Sequence, residues 1–120
     1  MKHRAHRRGH ALRRRYGHAK VGVHHFATLH GAINNAKSLG ATHYRTYESR
    51  FGLGVTFTHE GPGDGELTQW EVTQNEGDGW TQHGLAHVRG SDLHTHHAMK
   101  PLKGAHFKQM PEGRWRAWNE

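Results

Sequence analysis

The chain has 120 residues, of which 32% are hydrophobic, and it carries a formal net charge of +7. With a mean hydropathy of −0.99, it has apolar side chains for one modest core and too few residues for a second domain. It contains no cysteine, which excludes structural disulfides, thiolate zinc sites and cysteine nucleophiles. No segment approaches the run of about 18 apolar residues typical of a membrane-spanning helix, so we expect a soluble protein without a membrane partner.

The positive charge is concentrated at the start of the chain. Residues 1–20 contain eight basic residues and no acid, whereas residues 21–120 contain nine basic and ten acidic residues. Because residues 1–20 have few apolar side chains, we predict a flexible arm. Arginine and lysine in such an arm bind phosphates, and the counterions that they displace supply free energy of association. The predicted nucleic-acid-binding residues are Lys2, Arg4, Arg7, Arg8, Arg13, Arg14, Arg15 and Lys20.

A strand and a helix are predicted directly after the arm. The segment VGVHHF at 21–26 has the composition of a short strand. Thr28 is the predicted N-cap of the following helix, and Gly40 is the predicted residue after its C-cap. Between them, apolar side chains recur at helical spacing at Leu29, Ile33 and Ala36.

Four further strands are predicted between the helix and residue 90. Their ranges are 42–48, 53–58, 66–74 and 80–88. The strict alternation over 53–58 predicts a central strand, and the glycine-rich loops 61–65 and 75–79 predict a meander. We therefore expect an α+β domain over 21–90, with one helix packed on a mostly antiparallel sheet of about five strands.

Residues 91–120 are predicted to form an irregular tail that wraps the domain, because they mix Pro, Gly, His and Trp without a sustained period. Arginine and tryptophan alternate over 114–118. Aromatic side chains next to basic ones stack on exposed bases in single-strand-binding proteins. The candidates for base stacking are Tyr16, Trp115 and Trp118, although tryptophans also commonly pack on a core.

Fifteen histidines raise the hypothesis of a transition-metal site, because neutral imidazole binds zinc, copper and nickel. The densest cluster lies at 92–97, and its candidate ligands are His94, His96 and His97. No established zinc spacing is present, and the histidines are spread through every segment. We therefore expect no cofactor, and a divalent transition metal is the alternative.

These patterns predict a non-enzymatic protein that binds DNA or RNA, since no catalytic motif accompanies the segregated charge. The basic arm would contact phosphates, and the near-neutral body would dock on protein subunits of a larger assembly. A phage-type virion component, a nucleoid protein or a ribosome-associated protein fits this layout, by analogy of architecture. The alternatives are a histidine-rich metal-binding protein and a protein whose arm is a targeting signal.

Overall fold

The structure is a computed structural model that describes residues 23–59, 66–84, 86–89 and 99–120. The basic arm over 1–20 lies outside the described residues, as do residues 91–98 of the predicted tail. Within the described residues the fold is α+β, with one helix and an antiparallel main sheet. The predicted fold class is confirmed at that level.

Helix α1 spans Leu29–Ser38, and both of its ends follow the predicted signals. The Thr28 hydroxyl oxygen accepts a hydrogen bond from the Gly31 amide at 3.1 Å, which caps the first turn. At the other end Gly40 adopts a φ of +99°, and the Ala41 amide donates to the Ala36 carbonyl at 3.0 Å. This is a Schellman ending, which glycine favours because it has no Cβ. No helix within the described ranges is long and apolar enough to cross a membrane.

Nine strands are described in chain order. They are β1 His24–Phe26, β2 His43–Ser49, β3 Gly52–Thr58, β4 Glu66–Gln74, β5 Trp80–Gln82, β6 Ala86–Arg89, β7 Lys100–Pro101, β8 Ala105–Gln109 and β9 Trp115–Asn119. The main sheet has the order β1-β5-β4-β3-β2-β7, with β6 also paired to β4, and β8 and β9 form a separate hairpin. Strand β3 is central, as predicted, because it pairs with β2 on one side and β4 on the other.

The predicted strand over 80–88 is interrupted. Strands β5 and β6 both pair antiparallel with β4, but the register shifts by one residue between Val72↔Gln82 and Gln69↔Ala86. One extra residue on the β5–β6 side therefore forms a bulge, next to the hydrogen bond from the His83 amide to the Glu71 carbonyl at 2.8 Å.

The core lies between the main sheet and helix α1. Val55 and Phe57 of β3 are completely buried, and their paired partners on β4 are Val72 and Trp70. Period-2 alternation places these four side chains on one face of the sheet. The helix covers that face with Leu29, Ala32, Ile33 and Ala36, which are all buried.

The expectation of an irregular tail is wrong for residues 99–120. Strands β8 and β9 pair over five positions, and Leu102 and Phe107 are buried in the same core as the sheet. The five-residue loop between the strands contains Gly113, which has a φ of +99°, a conformation suited to short hairpin loops. Large side chains occupy both faces of β9, so the sequence shows no clear alternation there. For this reason the hairpin was not predicted.

Candidate nucleic-acid interface

The C-terminal hairpin presents two chemically different faces. Its inner face packs on the sheet through Phe107, whose ring centroid lies 5.0 Å from that of Tyr44, and through Trp115. The Trp115 ring meets Trp80 edge-on at 5.5 Å. The Tyr44 hydroxyl donates a 2.6 Å hydrogen bond to Asn119. These contacts attach the hairpin to the same side of the sheet that the helix covers.

The other face of the hairpin carries two aromatic rings and two cations. Cross-strand pairing places His106 beside Trp118 and Lys108 beside Arg116. The His106 and Trp118 rings are stacked, with centroids 5.3 Å apart and planes 20° from parallel. The Arg116 guanidinium lies 5.4 Å from the centroid of the Trp118 ring. We call these four residues the cation–aromatic face.

Two basic residues occupy paired positions on this face. Lys108 and Arg116 occupy paired positions, and both are exposed. Like charges in paired positions of an antiparallel sheet destabilise it. A bound anion would relieve this repulsion, which makes the pair a natural phosphate contact.

Helix α1 extends the cation–aromatic face into a groove. The groove has a volume of about 300 Å³, and the helix contributes His30, Asn34 and Lys37 to its wall. These three residues are spaced at i, i+4 and i+7, so they share one face of the helix. The hairpin contributes His106, Lys108 and Trp118 to the opposite wall. We call this space the helix–hairpin groove.

The basic residues of the body are concentrated near its C-terminal end. Residues 99–120 contain five basic and two acidic residues, whereas residues 21–98 contain four basic and eight acidic residues. One acid lies at the rim, where a Glu120 carboxylate oxygen is 3.3 Å from His106 Nε2. Residues 99–120 are thus a second basic region, although the body as a whole is nearly neutral.

A second polar cluster lies on the face of the main sheet opposite the helix. The Tyr47 hydroxyl donates to a Glu71 carboxylate oxygen at 2.8 Å, and the Arg45 guanidinium lies 5.4 Å from the Tyr47 ring centroid. Burial, and then the hydrogen bond and negative charge of Glu71, raise the pKa of Tyr47 well above its usual value. An acid–base catalyst needs a pKa near the working pH, so this cluster has the features of a structural network.

The structure separates the predicted stacking residues. Trp115 packs against the core, whereas Trp118 lies on the cation–aromatic face. Tyr16 and the eight basic residues of the arm lie outside the described residues. His94, His96 and His97 also lie outside them, and no group of three or more potential metal ligands occurs among the residues that are described.

Five residues of this surface were missed by the sequence analysis. They are His30, Asn34, Lys37, His106 and Lys108. The alternation of arginine and tryptophan over 114–118 indicated part of the site, but a strand carrying His106 and Lys108 was not predicted. Comparisons of the chain with protein-family models, curated proteins and solved structures found no match.

Proposed function

We propose that the chain is a non-enzymatic nucleic-acid-binding protein that contacts phosphates through two basic regions, the arm over 1–20 and the cation–aromatic face. The observation that carries this proposal is the paired position of Lys108 and Arg116 beside a stacked aromatic pair. Two adjacent cations whose repulsion an anion relieves, next to rings that can contact bases, suit a polynucleotide better than a small acidic ligand.

The proposal includes a structural or accessory role in a larger assembly, such as a phage-type virion, in which the body docks on other subunits. Its support is the distribution of charge along the sequence: residues 21–98 contain eight of the ten acids, whereas residues 1–20 contain none. Phosphate contacts carry no sequence information, so we expect binding with little sequence preference.

The decisive test removes one guanidinium from the cation–aromatic face. Arg116→Gln should weaken binding to a labelled DNA single strand at low salt, and the slope of log K against log salt should become less steep by about 0.7 units. Fluorescence anisotropy over a range of salt concentrations measures both quantities.

Arg50 provides a matched control. It is also exposed, and its guanidinium lies 5.2 Å from the Phe51 ring centroid, much as Arg116 lies over Trp118. Arg50→Gln removes the same charge from the turn between β2 and β3 and should leave the slope unchanged. Equal effects of the two substitutions would mean that total charge, rather than the hairpin, governs binding.

The contribution of the arm is tested separately. If about four to six basic residues of the protein meet phosphates on duplex DNA, the slope of the unmodified chain should be about −4 to −5. Replacing Arg13, Arg14 and Arg15 with glutamine should then make it less steep by two to three units, provided that all three contact phosphates. An unchanged slope would show that these three arginines of the arm do not contact phosphates.

A further inference from the structure

The helix–hairpin groove combines an aromatic wall with a basic rim. We infer that it binds single-stranded DNA or RNA in preference to duplex, with an unpaired base stacked on the His106–Trp118 pair; this inference rests on the proposed function. The groove, at about 300 Å³, is at the small end of the range for ligand sites, which suits one base rather than an extended ligand.

The stacked pair forms a preorganised platform. The 20° angle between the His106 and Trp118 rings keeps them nearly parallel, and 43% of the His106 side chain is exposed. A base that stacks on the exposed part of His106 would extend the pair without first ordering the rings. Stacking on aromatic side chains tolerates any base, because every base has a π-face.

Three cations and one acid lie near this platform, the acid being Glu120, whose carboxylate oxygen is 3.3 Å from His106 Nε2. Lys37 lines the groove from the helix and Lys108 lines it from the hairpin. Arg116 is exposed and lies over the Trp118 ring, so its guanidinium is placed to contact a stacked base or its phosphate. Arginine suits both contacts because its planar group stacks on rings and binds phosphate with two hydrogen bonds.

The geometry disfavours a duplex in this groove. A two-stranded ribbon can enter the major groove of DNA, which is about 12 Å wide, when it projects alone. Here helix α1 stands beside the hairpin and lines the same groove. The helix and ribbon together are wider than the major groove, since a helix with its side chains is already about 10 Å across. The concave space between them instead admits a base that is not held in a base pair.

The test compares single strands that carry the same number of phosphates, with and without bases, and a duplex that carries twice as many. Four fluorescein-labelled probes of about 12 nucleotides bind the full chain at one salt concentration: a thymine DNA strand, a uracil RNA strand, an abasic DNA strand and a DNA duplex. We expect at least one base-bearing single strand to bind more tightly than both the abasic strand and the duplex. The ratio between the DNA and RNA strands then shows which sugar the groove prefers.

Variants assign this preference to the platform. Trp118→Ala should reduce the affinity for the base-bearing strand by roughly 5- to 150-fold, which is the usual effect of removing one stacking side chain. It should leave the affinity for the abasic strand within about twofold, and Trp118→Phe should keep most of the preference. Phe51→Ala is the matched control, because Phe51 is an aromatic side chain that is 43% exposed at a different place. It should change none of the affinities.

Each result separates this inference from the proposed function. Equal affinities of the unmodified chain for the base-bearing and abasic strands would overturn the inference and leave phosphate binding intact, and that comparison needs no variant. A preference that survives Trp118→Ala in a protein with an unchanged circular dichroism spectrum would also overturn it. No binding to any of the four probes would instead contradict the proposed function itself.

Discussion

Lys108 on β8 and Arg116 on β9 lie in paired positions of the C-terminal hairpin, so two positive charges share one side of a two-stranded ribbon. Both side chains are exposed, and like charges in this arrangement reduce the stability of a sheet. An anion bound between these side chains would relieve that repulsion.

Reversing one of these charges should therefore raise the stability of the protein and weaken its binding to DNA. We expect Lys108→Glu to raise the free energy of unfolding by about 0.2–1 kcal/mol at low salt, because the cross-strand pair becomes attractive. The same change should weaken binding to DNA. Urea unfolding measures the first effect, and Lys103→Glu, at an exposed position outside the pair, should leave stability within about 0.5 kcal/mol. A loss of stability in Lys108→Glu would contradict the proposed repulsion.

The aromatic residues of the core and of the cation–aromatic face should respond differently to truncation. Phe57 is fully buried and stacks on Trp70 at 6.2 Å, so Phe57→Ala should cost about 3–5 kcal/mol of stability. Trp118→Ala removes a partly exposed ring and should cost less than about 1 kcal/mol. Thermal and urea unfolding of the two variants test this contrast. Similar large losses in both would place Trp118 in the structural core.

Gly54 should be intolerant of even a methyl group, because the Tyr47 ring lies across it. A Cβ at position 54 would overlap the ring atoms of Tyr47. We expect Gly54→Ala to cost about 1–3 kcal/mol through overpacking and to break the Tyr47–Glu71 hydrogen bond. Gly84→Ala is the control, because a Cβ there meets no atom within 4 Å. That variant should be neutral or more stable by up to about 1 kcal/mol.

The Tyr47–Glu71 hydrogen bond should make stability depend on pH in the alkaline range. Burial and Glu71 raise the pKa of Tyr47 in the folded chain, whereas an unfolded tyrosine ionises near pH 10. The unfolded state therefore loses its proton first, and the stabilisation that is complete below pH 10 declines as the pH rises above it. Burial raises the pKa of Tyr44 as well, which adds to the same trend.

Tyr47→Phe isolates this effect. At pH 8 the variant should be less stable than the original protein by about 1 kcal/mol, because Glu71 loses its donor. Above pH 10 the difference in free energy of unfolding between the original protein and the variant should narrow by at most about 1.4 kcal/mol per pH unit. Urea unfolding at pH 8, about 10 and about 11 provides the measurement. A difference that stays constant over this range would show that Tyr47 ionises alike in both states.

The sequence by itself determined the features that depend on neighbouring residues. The ends of helix α1 followed from Thr28 and Gly40, because capping is a local matter of hydrogen bonds and backbone angles. The buried face of β3 followed from alternation, since successive side chains of a strand point to opposite faces. The segregation of charge into residues 1–20 is likewise a property of the sequence alone.

Only the tertiary structure decided which tryptophan faces outward and what lies beside it. Trp115 and Trp118 are three residues apart, so they would share a face in a helix but point to opposite faces in strand β9. The choice depended on pairing with β8, which also aligned Lys108 with Arg116. The helix–hairpin groove is lined by Lys37 and Lys108, which come from distant parts of the chain. No local pattern encodes that proximity, because it arises when helix and hairpin bury apolar side chains against the same face of the sheet.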